Sequence, residues 1–156
     1  MMRFGGLVRV ALACAVLGAC GDDDGTNNGG DDDSNTLTAT IDGVAYTANS
    51  SVTVVRATDN SLIITGTSSN NRAIKIELPP VTQAGTYDAG PGFGAIVTYN
   101  IGLSPYVTSA TGGSGTVTVT SISSTRVAGT FSVTTVGTGG TVGNRVITNG
   151  KFNVDF

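Results

Sequence analysis

Histidine and tryptophan are absent from this 156-residue chain, and cysteine occurs only at Cys14 and Cys20. Without histidine there is no Ser-His-Asp or Cys-His catalytic constellation and no imidazole-based zinc site. Without tryptophan there is no indole platform for stacking on a sugar. Charge is scarce as well: 12% of residues are Asp, Glu, Lys or Arg, against about 25% in an ordinary domain. Few acids and bases are left for chemistry, and no basic stripe exists to hold nucleic acid. No apolar run approaches the roughly 20 residues of a spanning helix. Absence extends to periodicity, since no window carries the 3.6-residue repeat of an amphipathic helix.

What is present is most specific at the beginning. Arg3 and Arg9 make a positive segment, Val10 to Leu17 is a short apolar run, and Leu17-Gly18-Ala19-Cys20 follows it. This is the pattern of a lipoprotein signal. It predicts cleavage between Ala19 and Cys20, with acyl chains such as palmitate on Cys20. One buried chain binds only marginally, but two or three, at about 0.8 kcal/mol per CH₂, hold a protein on its membrane. Cys14 would leave with the signal, so the mature chain would carry no disulfide.

Behind the anchor, residues 21–35 contain only Gly, Asp, Asn, Ser and Thr. With nothing to bury and self-repelling charge, they read as a disordered tether of about 20 Å r.m.s. length. Loss of Arg3 and Arg9 leaves six bases against eleven acids, and six of those acids are Asp22, Asp23, Asp24, Asp31, Asp32 and Asp33. From Thr36 onward the balance is +1, so the acidity belongs to the tether. Asp22, Asp24, Thr26, Asn28 and Asp33 approach calcium-loop spacing, but Asn27 stands where such a loop requires glycine. A solvated tether is the better reading, and neither metal nor cofactor is expected. The run Asp22-Asp23-Asp24 also resembles the acidic export tags that send some lipoproteins to the outer face of the outer membrane.

The division is therefore 1–19 signal, 20–35 lipidated cysteine and tether, and 36–156 a single domain. Its pattern is period-2 alternation, clearest in Ala73–Leu78, where Ile74, Ile76 and Leu78 share a face and Pro79-Pro80 closes the strand. Asp42-Gly43 suits a two-residue type I′ turn. That turn sets Ile41 opposite Val44, Ala39 opposite Tyr46 and Leu37 opposite Ala48, with all six on one face. Further strands are expected at Val52–Ala57 and Leu62–Thr67 around a Thr58–Ser61 turn, and at Gly94–Ile101, Thr116–Ile122 and Arg126–Val136. Near the end, Asn149-Gly150 reads either as a hairpin turn or as a kink in one strand with Val146, Thr148, Gly150, Phe152 and Val154 in phase; the kinked strand is favoured. The expectation is an all-β fold, an antiparallel sandwich or flattened barrel of about 8–10 short strands, largely a meander.

Ala39-x-Ile41-Asp42-Gly43-x-x-Tyr46-x-Ala48, Gly85-Thr86-Tyr87, Gly129-Thr130-Phe131 and Asn149-Gly150-Lys151-Phe152 together resemble a family of uncharacterised envelope lipoproteins of diderm bacteria. The resemblance implies an anchored β-domain and brings no catalytic residues.

The glycine runs at Gly90–Gly94, Gly112–Gly115 and Gly137–Gly140 precede no helix and cannot act as phosphate loops. Asp42, Asp59, Glu77, Asp88 and Asp155 leave a carboxylate-based hydrolase of envelope or extracellular glycans formally open. Phe156, in phase with Phe152 and Val154, resembles the terminal signature of a small outer-membrane β-barrel, although the strands are short for one. Phe93, Tyr99 and Tyr106 fall around two longer connections, 89–93 and 102–114, and are the candidate ligand contacts, with Tyr106 as the best exposed aromatic. The reading is a non-enzymatic, lipid-anchored protein of the outer membrane, at the cell surface or otherwise on the periplasmic face. Its partners would be the membrane, the lipoprotein processing and export machinery, and an envelope or extracellular ligand.

Overall fold

The computed structural model describes residues 34–156; the signal, Cys20 and the export-tag aspartates lie outside them. Eleven strands and no helix make up the described chain: β1 (Thr36–Ile41), β2 (Val44–Thr47), β3 (Ser51–Arg56), β4 (Leu62–Ser68), β5 (Arg72–Leu78), β6 (Gly85–Asp88), β7 (Ile96–Ile101), β8 (Ser104–Val107), β9 (Ser114–Ile122), β10 (Arg126–Gly137) and β11 (Asn144–Asp155). All strand pairs are antiparallel, in the order β2-β1-β11-β10-β8-β7-β5-β4-β3. The path forks at β10, because residues from Val127 to Thr134 pair with β9 while Val136 and Gly137 pair with β8. β9 in turn carries β6.

The sheet curls until its ends meet. Tyr46 on β2 donates its hydroxyl to the Gly66 carbonyl on β4 at 2.7 Å, joining the first strand of the path to the last but one. The result is a flattened, partly open barrel whose inward face is one apolar core. Period-2 alternation explains it: Leu62 and Ile64 on β4, Ile74 and Ile76 on β5, Val117 and Val119 on β9 and Val127 on β10 are all sealed from solvent.

The Asp42-Gly43 turn has the backbone its sequence requires, with φ of +49° and +81°. Ala39 faces Tyr46 and Ile41 faces Val44, and the Ala48 N–H donates to the Leu37 carbonyl. Val44 nevertheless lies in solvent, because β2 is an edge strand and nothing covers its first residue.

β10 and β11 are twelve residues each, β10 extending the expected Arg126–Val136 by one residue, and a cross-strand exchange holds them together. Gly129 pairs with Phe152, and Phe131 pairs with Gly150. A Cβ on Gly150 would come within 2.6 Å of the Phe131 ring, and one on Gly129 within 2.4 Å of the Phe152 ring. Each ring lies over the bare backbone opposite it, and each glycine makes room for a phenyl group.

Asn149-Gly150 lies within one continuous strand, as favoured, but the phase differs from expectation. Between Phe131 and Val133 the partner residue moves from Gly150 to Ile147, and β1 shows the same skip between Thr38 and Thr40. β11 therefore holds one extra residue, a bulge at Asn149 with φ +52°. Its effect is to turn Ile147 inward and leave Val146 largely exposed. We expect Asn149→Gly to be near neutral and Asn149→Val to destabilise by about 1–2 kcal/mol, because a β-branched side chain resists the left-handed region. Urea midpoints of the two variants measure this.

Two short strands lie where loops were expected. β6 and β8 are four residues each, and β8 runs through the 102–114 segment. Pro105 is tolerated at its start; its carbonyl accepts from Thr138 N–H at 3.1 Å.

Candidate functional site

Strand β8 corrects the aromatic reading directly. Tyr106 is its inward residue and is only 5% exposed, and Tyr99 beside it on β7 is fully buried. Neither presents a ring to solvent, because the curled sheet closes over both. Tyr46, Tyr99 and Tyr106 instead form an internal ladder, with centroids 6.5 and 6.2 Å apart. Phe93 is exposed, as expected, but it precedes β7, whereas Tyr99 lies towards the other end of that strand. Phe93 makes no ring contact with the tyrosines.

The ladder backs onto a cleft at the end of the barrel formed by the Asp42-Gly43 turn, the β4–β5 turn and the start of β11. The cleft measures about 210 Å³, and its walls come from Ile41, Asp42, Val44, Arg72, Tyr99, Ile101 and Arg145. Arg145 is fully engaged. It pairs with Asp42 Oδ2 at 3.2 Å, donates to the Tyr106 hydroxyl at 3.1 Å, and lies 4.8 Å over the Tyr106 ring. Asp42 also accepts the Val146 N–H at 2.9 Å, which fixes the turn to β11.

Arg72 is different. It opens β5, between Ser68 on β4 and Ile101 on β7, and its guanidinium makes no hydrogen bond or ion pair among the described residues. It separates the cleft from a neighbouring depression of about 240 Å³ lined by Tyr46, Thr47, Asn49, Ser69 and Asn70 among others. The Tyr99 hydroxyl is buried and has no hydrogen-bond partner. Burial pushes its ionisation up, while the facing charges of Arg72 and Arg145 pull the other way. The hydroxyl therefore stays protonated, and able to donate, across the neutral range.

Sequence reasoning missed Arg72 and Arg145, although a signal exists. Both follow asparagine immediately after a turn, in Asn70-Asn71-Arg72 and Gly143-Asn144-Arg145, and both fall within the first two residues of a strand.

A larger hollow of about 350 Å³ lies on the outer face of β1, β9, β10 and β11, where Thr36, Thr38, Thr120 and Thr130 surround Lys151. It is an open plane of hydroxyls around one ammonium group, without the converging walls of the cleft. The carboxylates are dispersed among other tasks. Asp59 accepts from the backbone and side chain of Ser61, Glu77 pairs with Lys75 at 3.2 Å, and Asp155 pairs with Arg126 at 2.7 Å. The Ser61 backbone N–H, with its hydroxyl, holds Asp59 below the usual carboxylate range, and Arg126 does the same for Asp155. Among the described residues no three His, Cys, Asp or Glu side chains gather as metal ligands.

The family described as Domain of unknown function (DUF6252) matches residues 33–154. No curated protein and no solved structure matches the chain. This chain belongs to that family, and its matched segment coincides with the β-domain.

Proposed function

We propose that this member of the family is a lipoprotein of a bacterial outer membrane, cleaved after Ala19, acylated on Cys20, and displaying a non-catalytic β-module that binds a ligand in the arginine–tyrosine cleft. The observation that carries the reading is the Leu17–Cys20 signal followed by the acidic tether. The topology supports it. Thr36 pairs with Asn153, and Asn35 accepts the Asp155 N–H, so the chain comes in at the opposite end of β1 from the Asp42-Gly43 turn.

Two further observations favour a binding module over the alternatives. Four of the five domain carboxylates are held by a serine turn or a cationic partner, which leaves no free acid–base pair of the kind glycoside cleavage uses. The inward face is apolar and the outward face rich in threonine, the inverse of a membrane barrel with a lipid-facing apolar band. Phe156 takes no part in such a band: the Arg56 guanidinium lies 5.3 Å over its ring.

The test is fractionation of cells producing wild type and Cys20→Ser. Wild type is expected in the membrane fraction with acyl mass on an N-terminal Cys20, and Cys20→Ser in the soluble fraction. Unchanged membrane retention of the variant would overturn the anchor. Protease shaving of intact cells reads display: wild type should be cleaved, and a variant with Asp22, Asp23 and Asp24 replaced by alanine should be protected.

A further inference from the structure

We infer that the cleft binds the carboxylate of an acidic saccharide, a terminal uronate, with Arg72 gripping the carboxylate and the Tyr99 hydroxyl donating to it; the inference rests on the binding role proposed above. The polar groups left without partners here are donors. Arg72 offers a planar fork matched to a carboxylate, and the Tyr99 hydroxyl is buried without an acceptor. Among the described residues the same holds in the neighbouring depression. Asn49 uses its carbonyl oxygen on the Ser69 N–H, and Asn70 uses its own on the Ser68 hydroxyl, so each amide nitrogen remains available.

Charge and size narrow the ligand. Arg72, Arg145 and Asp42 sum to one positive charge around the cleft, which suits a monoanion better than a phosphate dianion. About 210 Å³ is below the usual range for whole small-molecule ligands, and it accommodates one sugar-sized unit. The adjoining depression extends the site past Arg72 along amides and hydroxyls, where a second, neutral sugar would meet donors. A peptide C-terminus fits less well, because the depression into which its preceding residues would run is lined mostly by amides and hydroxyls.

The orphaned hydroxyl makes the inference testable on two axes. A buried donor without an acceptor destabilises the fold, so Tyr99→Phe should raise Tm by a few degrees while weakening the ligand. A residue with a purely structural role would not move the two in opposite directions. The experiment is NMR titration of the full chain in detergent micelles, following the Nε–Hε resonance of Arg145, which lines the same cleft and is retained in every variant. The probes are trigalacturonate, its methyl ester and trialanine.

Trigalacturonate is expected to shift the resonance saturably, with Kd on the order of a millimolar or below, and the ester should leave it in place. Arg72→Ala should weaken binding at least tenfold, Tyr99→Phe about fivefold, and Arg56→Ala not at all. Binding that survives Arg72→Ala, or an ester that binds equally, would overturn the inference. Stronger binding by trialanine would overturn the saccharide while leaving a binding cleft. Silence with all three probes would remove both the ligand class and the binding role of the cleft, whereas the anchor is judged separately by fractionation of Cys20→Ser.

Discussion

Phe152→Ala should cost about 3–5 kcal/mol, the usual penalty for removing a fully packed phenyl group. For a domain whose whole stability falls in the range of about 5–15 kcal/mol, that is a third or more. The reason is the exchange between β10 and β11: the Phe152 ring fills space that Gly129 leaves empty, and the ring of Phe131 covers Gly150 in return. Urea unfolding should show a lower midpoint at an unchanged slope. The reverse substitution tests the same packing from the other side. Gly150→Ala places a methyl within 2.6 Å of the Phe131 ring and should cost about 1–3 kcal/mol by overpacking. In Gly150→Ala combined with Phe131→Ala the obstructing ring is gone, so the double variant should lose less than the two singles together. Additive losses would show that the ring and the glycine are not coupled.

Stability should also fall steeply between about pH 10 and 12. Burial in the core pushes Tyr46 up from 10.0 to about 12, against the lowering effect of the Ile74 backbone, and burial raises Tyr99 as well. In the unfolded chain both phenols ionise near 10. Below that pH both states are protonated and the contribution is fully present. Above it the unfolded chain releases protons first, and each such proton removes up to roughly 1.4 kcal/mol per pH unit until the folded group ionises too. Asp59 and Asp155 run the other way. Their folded values are lowered, so their smaller contribution is present above the ordinary carboxylate range and disappears as pH falls through the depressed values. With no histidine and no cysteine in the domain, the interval between these windows should be flat. Denaturant midpoints from pH 3 to 12, with tyrosinate absorbance recorded in parallel, measure the whole profile. A transition near pH 6.5 would contradict it.

Local chemistry made much of the fold legible. Asp42-Gly43 and the alternation of Ala73–Leu78 each specify one conformation, because turn type and buried face demand the same register. The strand at Arg126–Val136 was readable as well, and it forms all but the last residue of β10. β6 and β8 were not, since four residues carry too little alternation and Pro105 beside Gly102 reads as a loop. The phase of β11 escaped because a bulge adds a residue without leaving a period. The candidate site was least visible. An aromatic near glycine and proline looks exposed in sequence, but whether Tyr99 and Tyr106 face water depends on how the sheet closes. Arg72 and Arg145 are 73 positions apart, and it is the run of pairings β5-β7-β8-β10-β11, with the curl of the sheet, that brings them to one cleft.

The chain comes into the domain at one end of β1, and the arginine–tyrosine cleft lies at the other. Under the membrane anchor proposed above, that polarity would bear on avidity. Copies anchored as proposed would each present one site and diffuse independently beneath the same polymer. A saccharide with many uronate units would then engage several domains at once, each further attachment occurring at a local concentration set by tether length rather than by bulk solution. Single-site binding near a millimolar would suffice for firm capture of a chain, while monomeric sugar acids would exchange freely.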